Sequence, residues 1–176
     1  MEFGCTIPLQ KQQKIPAPPY GGGEAPIFCW DLHCISLLGR SSLLLVNCRN
    51  RYSVILYGLT GTHWARLQET ALLGLRSALV LEGFPGRLTD RYFAAGGAPY
   101  VTRTHGRREV AFLNRAWEAA AASDLLIDPS GVLQPALDHV LNHRACRCAG
   151  HEGSGIPWRW MEKDLRSLSG IPGTDL

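Results

Sequence analysis

The sequence predicts an α+β domain: an antiparallel meander sheet with helices packed mainly on one face. Three observations carry that expectation. Two short apolar runs, residues 43–46 and 52–56, flank a polar turn at 47–51, the pattern of two strands joined in a hairpin. Residues 27–38 alternate in character, placing Ile27, Cys29, Asp31 and His33 on one face and Phe28, Trp30, Leu32 and Cys34 on the other. Beyond Gly58 the apolar period changes from two to three and four, the signature of amphipathic helices.

In chain order, residues 2–6 read as a short first strand, and 7–14, with Pro8 near the start, as at best a brief helix. Residues 16–26 are rich in Pro and Gly and form a loop. The long strand and the hairpin follow, giving three consecutive antiparallel strands. Thr62 is expected to cap a helix of about five turns carrying Trp64, Leu67, Ala71, Leu75 and Leu79, which stops at Gly83 and Pro85. Residues 88–95 make a second short helix and 98–104 a further strand, which with the first strand extends the sheet. A helix over 107–122 presents Val110, Leu113, Trp117 and Ala120 as its apolar stripe and Arg107, Ala111, Asn114 and Glu118 on its other face. Residues 132–142 are helical despite Pro135, which a first turn tolerates. Residues 146–155 are irregular, and 157–168 form a helix that docks through Trp158, Met161, Leu165 and Leu168; the tail from residue 169 is expected to fray. The organisation expected is one domain over 1–145 and a C-terminal extension over 146–176 bearing the docking helix.

At 176 residues, 45% hydrophobic and 19% charged, the chain can bury a core without staples and lies outside the disordered class. The net charge of +3 is too small to announce nucleic acid without clustering. No basic-then-apolar leader is seen and no run of eighteen or more apolar residues, so no membrane span and a cytoplasmic location are expected. The six cysteines are then free or metal-binding rather than a disulfide framework.

Three residue sets bear on chemistry. The first lies around the hairpin turn and the strand-to-helix corner after it: Asn47, Arg51 and Tyr52 with Thr102, Arg103, Thr104, Arg107, Arg108 and Asn114. Guanidinium groups, hydroxyls and the free N–H groups of a helix start suit a phosphate, although Arg at a helix start and Asn in a turn also serve capping and solvation. The second comprises His139, His143, Cys146, Cys148 and His151, where two His four apart precede soft thiolates, as in zinc sites. Its Cys-x-Cys spacing and lack of a second pair depart from the common zinc patterns, so no metal and no cofactor are expected. The third is His33, with Asp31 two residues back on the same strand face; Cys34 points to the opposite face. No Gly-x-Ser-x-Gly, Walker loop, dinucleotide fingerprint or His-Glu-x-x-His occurs.

The runs Trp30-Asp31-Leu32-His33-Cys34, Leu44-Leu45-Val46-Asn47 and Arg51-Tyr52-Ser53-Val54-Ile55-Leu56-Tyr57-Gly58-Leu59 resemble a family of small uncharacterised bacterial proteins, a domain of unknown function that sometimes precedes a plasmid ORF-3-like domain. Glu82-Gly83, Asp90-Arg91-Tyr92, Thr102-Arg103-Thr104, Arg107 and Leu113-Asn114-Arg115-Ala116 extend the resemblance, which covers residues 1–125 well. The chain departs from the family at Arg103, where Lys is usual, and at Gly106, where an acid is usual. The resemblance brings no activity, but it implies that the first residue set is a shared polar surface and supplies a mobile-element or defence setting. The expectation is therefore a binding module for a phosphate-bearing partner such as nucleic acid. The alternatives are a metal- or His-dependent nuclease or phosphotransfer enzyme with His33 as base, and a protein–protein adaptor using Trp158 and Trp160.

Overall fold

The structure is a computed structural model, described here over residues 1–168; the expected fraying from residue 169 lies outside the described residues. Strand β1 (Glu2–Cys5) leads into helix α1 (Ile7–Gln12), and a loop with a single 3-10 turn reaches β2 (Cys29–Leu37), β3 (Arg40–Asn47) and β4 (Ser53–Leu56). Helices α2 (Gly61–Ala65), α3 (Leu67–Leu81) and α4 (Gly86–Gly96) carry the chain to β5 (Tyr100–Arg103), and α5 (Arg107–Ala121) and α6 (Pro135–Asn142) follow. Strands β6 (Cys146–Arg147) and β7 (Ser154–Gly155) form a small ribbon before α7 (Pro157–Ser167).

The expected meander is present: β2, β3 and β4 pair antiparallel, with Leu32 opposite Leu45 and Leu45 opposite Val54. The sheet as a whole is mixed, which corrects the expectation of an antiparallel sheet. Its order is β4-β3-β2-β1-β5, and β1 pairs parallel with both β2 and β5. Parallel neighbours need a long crossover. Here the α1 segment and the Pro/Gly-rich loop provide one between β1 and β2, and α2–α4 return the chain so that β5 joins the far side of β1.

Strand alternation divides the apolar residues into two clusters. Phe3, Trp30, Leu32, Leu43, Leu45, Val54 and Leu56 belong to one, with buried residues of α3, α4 and α7. Ile35, Leu37, Leu44, Val46, Ile55 and Tyr57 belong to the other, with Leu113, Ala116 and Ala120 of α5 and Leu137 and Leu141 of α6. The expectation of helices mainly on one face is to be set beside this division. On the second face the apolar cluster stops short of β1 and β5. There Gly4, Asp31 and Thr102 lie in lateral register, with Glu2 two residues before Gly4 on the same face.

Two local differences from the sequence expectations have plain causes. The helix after Gly58 is broken at Arg66 (φ −119°, ψ 45°) into α2 and α3, and its cap is Thr60, not Thr62. The Thr60 backbone N–H donates to Nδ1 of His63, and its hydroxyl meets the same nitrogen at 3.1 Å. Residues 146–155 form the β6–β7 ribbon rather than a wholly irregular segment.

Candidate functional site

Gly4 lies at the centre of the polar half-face. A Cβ built there would stand 2.1 Å from Asp31 Oδ1 and 2.9 Å from His105 Nδ1, so only glycine leaves room for the imidazole. Gly21 makes the same allowance from the loop side, where a Cβ would meet Glu2 Oε2 at 2.6 Å and His105 Nε2 at 2.7 Å. The chain leaving β5 drops the His105 ring into this gap. Its Nδ1 lies 2.6 Å from Asp31 Oδ1 and its Nε2 2.7 Å from Glu2 Oε2. The His105 backbone N–H also donates to both Asp31 oxygens, at 3.2 Å.

Both carboxylates are 1% exposed. Such groups must be fully hydrogen-bonded to be kept inside. Glu2 accepts from the backbone N–H groups of Gly22 (2.8 Å), Gly23 (2.8 Å) and Glu24 (2.9 Å), and from the Tyr100 hydroxyl (3.0 Å). Burial works to raise the Glu2 pKa, but the hydrogen bonds from Gly22, His105, Tyr100 and Glu24 outweigh it and bring it down to about 2. For His105, burial works downward. Hydrogen bonds to Asp31, Cys29 and Cys48 overcome it and hold the ring well above the usual histidine range. Asp31 is raised by burial, with His105 opposing. The result is an imidazolium donating from both ring nitrogens to two buried carboxylates.

Two overlapping sets here have metal-ligating atoms within 4.8 Å of one another: Glu2, Cys29 and His105, and Asp31, Cys48 and His105. Both depend on His105, whose two ring nitrogens are already committed to carboxylates. Burial also raises the Cys48 thiol to about 12, which disfavours the thiolate a metal needs. As arranged, the cluster is a positioned hydrogen-bond donor. A general base must be neutral to accept a proton, and His105 is held protonated.

The phosphate set expected from the sequence is only partly gathered. Asn47 is buried and closes the β3–β4 turn: its Nδ2 donates to Ile27 O (2.8 Å), and its Oδ1 accepts from the N–H groups of Arg49 (3.0 Å) and Asn50 (3.2 Å). Arg51, at φ 64°, sends Nη2 to Glu109 Oε1 at 2.9 Å, and its guanidinium carbon lies 5.4 Å from the centre of the Phe112 ring. The turn therefore meets the first turns of α5. Tyr52 is inside the core, edge-on to Phe84 at 5.7 Å. Thr102 is buried and donates to Arg103 O, and Thr104 is half-buried beside Gly4. Arg103 donates to Pro18 O at 3.0 Å and covers the Tyr20 ring at 4.3 Å, fastening the Pro/Gly-rich loop to β5. Arg107 and Arg108 are exposed in the first turn of α5, and Asn114 is exposed further along it.

His33 does not pair with Asp31. Its Nδ1 lies 2.9 Å from Thr6 Oγ1, its ring is edge-on to Trp117 at 5.7 Å, and burial lowers its pKa. The C-terminal His and Cys residues separate. His139 and His143 meet Glu82, while His151 lies 3.3 Å from Asp164 and stacks on Trp160. No grouping close enough to share a metal joins Cys146 or Cys148 to them among the described residues. Sequence reasoning missed Glu2 and His105. The signals present were the glycine triplet at 21–23 and the His105-Gly106 pair; the partners of His105, Asp31 and Glu2, lie 74 and 103 residues away.

A profile for a family described as a domain of unknown function (DUF6933) matches residues 2–160. The chain belongs to this family. The match spans every element from β1 to β7 and ends within α7, and it includes Glu2, Asp31 and His105. No curated protein and no solved structure matches the chain. No helix among the described residues is long and apolar enough to cross a membrane.

Proposed function

We propose that this family member is a binding module for a phosphate-bearing partner, nucleic acid foremost, docking where the β3–β4 turn meets the first turns of α5. What supports the reading is Arg51. It is 4% exposed, and its Nε and Nη1 are buried with no hydrogen-bond partner among the described residues. These donors are enclosed, so Arg51 acts through its charge just beneath the surface, and that charge favours an anion docked above it. Arg107 and Arg108 stand exposed on the same turn of α5 as Glu109, where they extend the positive surface outward. The Glu2–His105–Asp31 cluster then has a positioning role, fixing the chain that enters α5. The setting in mobile elements or defence rests on the sequence resemblance alone.

Fluorescence anisotropy with a labelled single strand, and with its duplex, over a range of salt concentrations tests this. Affinity is expected to fall steeply with salt. Arg107→Ala/Arg108→Ala should flatten the log–log slope by roughly 0.7–0.9 for each phosphate that is no longer neutralised. Arg51→Lys keeps the buried charge and should bind within a few-fold of the wild type with unchanged circular dichroism. Absent binding, or binding indifferent to salt, would overturn the proposal.

A further inference from the structure

Glu82, His139 and His143 come together on a face that the phosphate reading does not use. Helix α6 places His139 near its end and His143 at its C-cap, four residues apart and so on one side. Glu82 is the C-cap of α3. Its side chain is 5% exposed, whereas those of His139 and His143 are 60% and 38% exposed, so the carboxylate forms the floor of a site with imidazoles at its rim.

Three features of this trio exceed an ordinary surface ion pair. Both imidazoles bring Nδ1 to the same oxygen, Glu82 Oε1, at 2.7 Å and 3.8 Å. The rings stack with centroids 3.9 Å apart, and Trp158 stacks against His143 at 5.8 Å. One ligand atom from each of the three residues lies within 4.8 Å of the others.

We propose that Glu82, His139 and His143 form a divalent transition-metal site, best suited to zinc, with a fourth position open to solvent. Two imidazole nitrogens and one carboxylate oxygen make the borderline donor set that zinc favours, and three protein ligands leave a place for water or an incoming group. His143 Nδ1 also lies 2.9 Å from His139 O, a contact the metal displaces if it takes that nitrogen. Cys146 and Cys148 have no part in this site, which separates it from the five-residue pattern in the sequence.

Calorimetric titration of the full chain with Zn²⁺ and visible absorption with Co²⁺ test the site. One equivalent of Zn²⁺ should bind, and Glu82→Gln, His139→Ala and His143→Ala should each weaken it by at least about tenfold. The two histidines are exposed, so their variants should keep the wild-type circular dichroism. Cys146→Ser/Cys148→Ser should bind as the wild type does, and the wild-type Co²⁺ spectrum should lack thiolate-to-metal charge transfer. Absence of saturable binding, persistence of binding in His139→Ala/His143→Ala, or its loss in Cys146→Ser/Cys148→Ser would overturn the assignment.

Discussion

Gly4 and Gly21 matter for what they leave out. Each lacks the one carbon that would collide with the Glu2–His105–Asp31 cluster, and Gly4 does so from the middle of a strand, where glycine is otherwise a poor choice. Gly4→Ala is therefore expected to destabilise the fold by about 1–3 kcal/mol, the usual cost of overpacking, read as a lowered midpoint in urea. Glu2 ties its stability to pH with a definite sign. Its folded pKa is depressed to about 2 from an ordinary 4.5, so its contribution is present above the ordinary value and lost as pH falls through about 2. Glu2→Gln should be less stable than wild type at neutral pH, and the gap should close across that acid window in thermal melts. His105 runs the other way: its raised pKa makes its contribution complete below the ordinary histidine value and lost only on strong alkalinisation. The sequence displayed the two glycines and the histidine but not their meeting, because they lie on segments far apart in the chain and nothing local records which of them become neighbours.

At the scale of elements, α6 serves as a substitute strand. Strand β4 is an edge of the sheet, and its outward N–H groups need acceptors. Asp138 Oδ1 accepts from Ile55 N at 2.9 Å, and Asn142 accepts from Ser53 N at 2.7 Å while donating to Ser53 O at 2.8 Å. The two side chains are four apart, so one helix face provides both. Burial raises the Asp138 pKa well above the ordinary carboxylate range, while the Ile55 N–H works to lower it. Asn142→Ala should cost roughly 1–3 kcal/mol, the penalty for orphaned buried groups, and should raise aggregation in light scattering by uncovering the edge. The helix over 132–142 was legible in the sequence. The roles of Asp138 and Asn142 were not, because nothing local tells which side of a helix will meet an unfinished sheet.

At the scale of the whole molecule, the C-terminal helix is wired to the hairpin turn. Asp164 of α7 is buried and accepts from Arg49 Nε and Asn50 Nδ2, each at 3.0 Å, while Met161 and Leu165 join the larger apolar cluster. Asp164→Ala should destabilise the protein by about 1–3 kcal/mol, since it strands the buried Asn50 amide and unpairs the partly exposed Arg49. Differential scanning calorimetry should show a single lowered transition, with the hairpin and α7 unfolding together. Two separate transitions would show that residues 146–168 form a unit of their own.

The sequence by itself determined the five strands of the main sheet and most of the helices, because their hydrophobic periods of two and of three to four are set by backbone geometry within a few residues. It also placed Arg51 and the start of α5 among the residues of interest from their chemistry alone. Only the tertiary structure decided that β1 lies between β2 and β5 in parallel, since lateral order depends on long crossovers and not on local pattern. That order brings Glu2, Asp31 and His105 together from three distant segments. It likewise turned Asn47 and Tyr52 inward and left Arg107 and Arg108 in solvent, because burial is a property of what packs against a residue.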